Sequence, residues 1–206
     1  MLFTVNSAME HLSLPEAMCN AIVAAYRPRK YHNLEHLDNM LRWVDVDHIQ
    51  SFEMDMRSVL SGILFHDLYY EVMPIMGFNE AMSVSMYSML MSPQMVSEEA
   101  IAELASTVSV ITATAYHHTD QKTLTDEAAY VCDLDLQSFA RPREEFLADT
   151  LKVQEEYLEA GVSEEDFKLG NKAFLSKLLA RKQIYYMIGS WEEPARENIA
   201  WRISTL

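Results

Sequence analysis

A chain of 206 residues, half of them hydrophobic and 23 % charged, is long enough for one domain with a sizeable core and too apolar to remain disordered. Sixteen Lys and Arg against 31 Asp and Glu give a formal net charge of -15. That charge argues against an extended nucleic-acid face or an anionic-membrane surface, but does not exclude one small phosphorylated ligand held by a local cluster of cations or a metal. Two cysteines, Cys19 and Cys132, with no CxxC, do not make a disulfide framework and suit a reducing compartment. The first residues lack a basic region and an unbroken apolar segment, and no apolar run approaches the roughly 18 residues of a membrane span. The expectation is a cytoplasmic protein, with room for assembly into a homo-oligomer.

Gly and Pro are scarce, 5 and 6, and Met, Leu, Ala and Glu are abundant, which predicts an all-α single domain of eight to ten helices. Residues 6–26 read as helix, with Pro15 opening its main part and Met18, Ile22 and Ala25 as an apolar stripe. Pro28 ends it. Asn33 is a good N-cap for a helix to about Val44. Residues 45–54 are acidic, irregular or helical, and a helix spans about Asp55 to Tyr70. Pro74 and Gly77 mark a loop, and Asn79 starts a Met-rich helix, 79–92, whose methionines read as core filler. Further helices are expected over 97–117, 126–139, 142–159, 163–188 with a break near Gly170, and 194–203, with a polar loop at 118–125.

Four stretches carry candidate chemistry. In SGILFHDLYY (61–70) the ionisable pair His66-Asp67 interrupts an apolar run. A buried carboxylate costs several kcal/mol, roughly, unless it is paired or bound to metal, so the pair requires partners from elsewhere, either a metal or an ordinary hydrogen-bonded neighbour. In YHNLEH (31–36) His32 and His36 stand four apart. With Asn33 as cap, His32 lies just outside the helix and His36 within its first turns, and an exposed polar helix start is the alternative. In CDLDL (132–136) one of Asp133 and Asp135 is expected to face inward with the apolar set. In AYHH (115–118) adjacent His117 and His118 cannot share a helical face. His36, His66, Asp67 and Asp135 together form a two-His, two-Asp set suited to manganese, iron, cobalt, magnesium or zinc. Such a centre could activate water and polarise a phosphate oxygen.

The order His … His-Asp … Asp on an all-α chain resembles the HD superfamily of metal-dependent phosphohydrolases, and YHNLEHL (31–37) looks like the histidine motif of the cyclic-nucleotide phosphodiesterases. The resemblance implies His32 as proton donor to the leaving group, His36 as a ligand and, through Leu134-Asp135-Leu136, Asp135 as the last ligand in preference to Asp133. A closer likeness is to small, stand-alone, mostly bacterial HD phosphohydrolases. It rests on His32/His36, Phe65-His66-Asp67, Asn79-Glu80, Thr112–His118, Asp133–Leu136, Arg181–Tyr185 and Ala195–Asn198, covering about residues 30–200. Tyr70 stands where the phosphodiesterases have a further His, a departure that weakens the case for their two-metal centre and cyclic-nucleotide specificity. His117 or His118 could instead serve a second metal or bind phosphate.

Asp67 and Glu80 are candidate catalytic groups beside His32, although Glu80 is equally readable as a solvent-facing first-turn residue. Arg29, Lys30, Arg181 and Arg196 are candidates for phosphate contact, or partners for the many carboxylates. The expected function is hydrolysis of a phosphoester of a small metabolite, most readily a nucleotide. The alternatives are an HD-fold di-iron oxygenase and a non-catalytic nucleotide-binding module.

Overall fold

The computed structural model describes residues 2–72, 75–94, 96–117 and 123–206, and among them the chain is all-helical, with eleven α-helices and no strand. The helices are α1 (Val5–His11), α2 (Glu16–Tyr26), α3 (Leu34–Arg42), α4 (Val46–Ser51), α5 (Met56–Phe65), α6 (Phe78–Met91), α7 (Glu98–Thr114), α8 (Asp126–Asp135), α9 (Arg143–Glu159), α10 (Glu164–Ala180) and α11 (Glu192–Thr205). No helix of the described residues is long and apolar enough to cross a membrane.

α5 is the axis of the fold. Every residue from Ser58 to Phe65 is buried, the pattern of a helix surrounded by others, and it packs on α3, α6, α7 and α8. The tightest approach is to α7: a Cβ added at Gly62 would lie 2.4 Å from Val110 Cγ1. A second apolar cluster joins the 136–140 turn to α10 and α11 through Leu136, Leu175, Leu178, Tyr185 and Ile199, and Trp191 touches both clusters.

Side-chain capping sets most boundaries. Asn33, Asp45, Asp55, Ser97, Thr125 and Ser163 each accept from N–H groups of the first turn, as short polar residues at such positions do. The expected helix over 6–26 is two helices, separated by Ser13 at φ 54° and by Pro15. The 126–139 helix is α8 followed by a 3-10 turn over 136–140. The methionines of α6 fill the core only in part: Met91 is buried beside Asn79, Ser83 and Tyr87 and Met86 packs against the core, whereas Met89 is 76 % exposed. The loop expectation at Pro74 lies outside the described residues.

Two larger corrections have a common cause, the capture of backbone groups by side chains. The helix expected to continue to Tyr70 stops at Phe65. Beyond it, Arg29 donates to the carbonyls of Asp67 (2.6 Å) and Leu68 (3.2 Å). Ser83 bonds the Tyr69 backbone on both sides, and Asn79 does the same for Glu71. The helix expected to reach residue 188 stops at Ala180 and runs unbroken through Gly170. The N–H groups of Ile184 and Tyr185 go to the Glu192 carboxylate, and those of Tyr186, Met187 and Ile188 go to Asp133. With these donors engaged, no α-helical ladder can form there.

Candidate metal centre and adjoining cavity

His36, His66, Asp67 and Asp135 come from α3, the end of α5 and the end of α8, and they converge. One ligand atom from each of His36, His66 and Asp67 lies within 4.8 Å of the others. Asp135 Oδ1 is 3.2 Å from His36 Nε2 and 3.6 Å from His66 Nε2, and Asp67 Oδ2 is 3.3 Å from His66 Nε2. His36, His66 and Asp67 are 3 %, 1 % and 8 % exposed. His66 Nδ1 donates to the Ile63 carbonyl at 2.9 Å, which fixes the tautomer and turns the Nε2 lone pair into the cluster, as an outer partner does for a metal-ligating imidazole.

Both ring nitrogens of His36 and Nε2 of His66 are buried without a hydrogen bond of acceptable geometry. The two Nε2 atoms, facing two carboxylates at 3.2–3.6 Å without a hydrogen bond, match the donor set of a divalent cation, so these residues fit a metal. The electrostatics favour positive charge at the same place. Burial lowers His66, but Asp67 and Asp135 outweigh it and hold the imidazole well above its usual value. Burial raises Asp135 and Asp67, yet both stay below the ordinary carboxylate range, held there by the imidazoles of His117, His36 and His66 around Asp135 and by that of His66 beside Asp67.

The two aspartates of α8 divide the work. Asp133, 0 % exposed, faces away from the histidines and accepts three backbone N–H bonds at 2.7–2.9 Å. Burial nevertheless pushes it up to about 6. Asp135 faces the histidines. Both are therefore inward, where only one was expected, because α8 is buried on both sides over its last turn.

A cavity of about 200 Å³ opens above the cluster, and His32, His66, Asp67, Glu80, His117 and Asp135 are among its walls. His117 Nδ1 is 3.0 Å from Asp135 Oδ2. Glu80 is half-buried, and burial, reinforced by Asp67, raises its carboxyl. His118 lies outside the described residues. Arg29, Lys30, Arg181 and Arg196 do not line this cavity. Arg29 binds the carbonyls after His66, and Lys30 pairs with Glu159. Arg181 donates to the His117 carbonyl and lies over the Tyr186 ring. Arg196 pairs with Glu192 and donates to the carbonyls of Leu179 and Arg181. The phosphate contacts expected of these residues are not brought to the cavity: the three arginines are engaged with backbone carbonyls and Lys30 with a carboxylate.

Sequence reasoning missed Glu156. Its Oε1 accepts from the N–H groups of Tyr31 and His32 at 2.8 and 3.0 Å, and its Oε2 lies 2.6 Å from His32 Nδ1. Burial raises this carboxyl, but the His32 hydrogen bond and the backbone donors bring it below its ordinary value, so Glu156 is the acceptor and His32 Nδ1 carries the proton. Tyr70 stacks on the other side of His32, ring centroids 3.9 Å apart at 26°. The signal was present in α9: Phe146, Asp149, Thr150, Val153 and Glu156 recur at helical spacing, and a carboxylate on an apolar stripe calls for a partner.

A scan against protein-family models found none that matches the chain, and a search of curated proteins likewise found no match.

Proposed function

We propose that this chain is a metal-dependent phosphohydrolase of the HD type, acting on a phosphoester of a small metabolite, by preference a nucleotide. The observation that carries it is the convergence of His36, His66-Asp67 and Asp135, from three distant segments, on orphaned buried nitrogens at the floor of a cavity. His36, His66, Asp67 and Asp135 would hold the ion. When bound, the ion acidifies a water and polarises the phosphoryl oxygen. His32 is the proton donor to the leaving oxygen: Glu156 occupies Nδ1, which leaves Nε2 as the atom that exchanges a proton with the ester. Glu80, at the cavity wall with a raised carboxyl, orients or accepts a proton from water. Tyr70 restricts the ring plane of His32.

Metal analysis together with phosphate release from a nucleotide panel, in manganese, cobalt or magnesium, tests the proposal. Release that Asp67→Asn abolishes, with loss of metal, is expected. Metal-loaded protein that releases phosphate from no member of the panel sinks it. One contact favours a second reading, the 3.0 Å approach of His117 to the outer oxygen of Asp135, which would suit a second ion and hence a di-iron oxygenase. Two irons per chain with oxygen uptake would select that reading, and a single ion would reject it.

A further inference from the structure

The cavity over the cluster continues into a second space of about 400 Å³ between the ends of α9 and the face of α10, the two sharing His32, Tyr70, His117, Asn171 and Phe174. Its remaining walls include Tyr157, Phe167 and Gly170. Three features define what would fit. The walls are aromatic: Tyr157 and Phe167 meet edge to face with centroids 5.3 Å apart, and Tyr70 and Phe174 close the side nearest the cluster. Asn171 Oδ1 is buried and makes no hydrogen bond, an acceptor awaiting a donor. Among the described residues no Lys or Arg lines either space, while Asp67, Glu80, Asp135, Asp149 and Asp166 do.

We infer that this second space is the subsite for a planar ring bearing an N–H donor, joined to a single phosphate, as in a nucleoside monophosphate whose base carries an exocyclic amine. The inference rests on the phosphohydrolase reading, since that reading seats the phosphate at the histidine cluster. Aromatic faces stack on a ring with little regard to its identity. Asn171 adds selection, because an amine satisfies its oxygen and a ring without one leaves it unpaired. A second or third phosphate would meet carboxylates without a cation to offset them, so di- and triphosphates are disfavoured.

Gly170 supplies the blocking variant. A Cβ there meets nothing within 4 Å, and a side chain in place of glycine favours the helix, so Gly170→Leu folds and fills the subsite. Calorimetric titration with adenosine, purine riboside (adenosine without its amine), AMP and ATP is the test. Adenosine is expected to bind about tenfold tighter than purine riboside, the difference a hydrogen bond makes. That preference is lost in Asn171→Ala, and adenosine affinity falls at least about tenfold in Gly170→Leu. ATP is expected to bind more weakly than AMP. Unchanged adenosine affinity in Gly170→Leu, or ATP binding as well as AMP, overturns the inference. Release of phosphate from glycerol phosphate without adenosine binding removes the subsite and leaves the phosphohydrolase standing. Adenosine binding that Gly170→Leu weakens, with no phosphate release from any ester, supports the subsite and removes the phosphohydrolase.

Discussion

At the scale of single residues, the candidate centre is built on pairs that fix one atom so that another is free. Ile63 holds His66 Nδ1 and frees Nε2, and Glu156 holds His32 Nδ1 in the same way. Replacing the outer partner should therefore leave the metal in place and slow turnover. Glu156→Gln is expected to retain metal and lose about 10- to 100-fold in kcat, against about 10²- to 10⁴-fold for His32→Ala, in single-turnover assays. Glu156 also links the site to pH. Its carboxyl titrates lower in the folded chain than in the unfolded one. The stability it adds is present above the ordinary carboxylate range and is lost as pH falls through its folded value. The stability gap between the native chain and Glu156→Gln should accordingly be widest near neutrality and narrow in acid, followed by urea unfolding at several pH values. A gap that widens in acid contradicts the assignment. The histidines and aspartates of the cluster were legible in the sequence because polar pairs stood out against apolar surroundings. Glu156 was not, because its partner is 124 residues away and a carboxylate in an acidic helix looks ordinary.

At the scale of elements, capping residues made the starts of helices legible, whereas two of the ends were misjudged. A start is announced by a short polar residue three positions from its target. The ends near Phe65 and Ala180 are imposed by Arg29, Asn79, Asp133 and Glu192, which reach them from other parts of the chain. Asp133→Ala should therefore act as a structural lesion, orphaning three N–H groups and costing on the order of 3 kcal/mol in denaturant unfolding. Gly62 offers the contrary case, where a better helix former hurts. Alanine there gains about 1 kcal/mol of helix propensity, but its Cβ would collide with Val110 on α7, and overpacking costs about 1–3 kcal/mol. Gly62→Ala is expected to lower the unfolding midpoint. Because the His66 N–H bonds the Gly62 carbonyl, it should also weaken metal affinity.

At the scale of the whole molecule, an ion held at the proposed centre would bind the folded chain alone and so stabilise it. At a hundredfold excess over Kd the gain is about 2.7 kcal/mol, visible as a rise of several degrees in Tm that Asp67→Asn abolishes. An equal rise in the variant would place the ion elsewhere. The all-helical class was legible from composition, since scarce Gly and Pro leave few turns, while the second apolar cluster was not, because it joins the 136–140 turn to α10 and α11 through Ile184 and Tyr185, in chain expected to be helical. The proposed ligands to the ion all fall between residues 36 and 135, whereas Glu156, the partner of His32, and Tyr157, Phe167, Gly170 and Asn171 of the second space follow residue 140, with His32, Tyr70 and His117 bordering both spaces. Most of the side chains that would tell ligands apart thus lie on a different stretch of the chain from those that would hold the ion. Under selection, α9 and α10 can diverge toward new ligands while the ion-binding helices stay unchanged, so related chains would share a reaction and differ in what they act on.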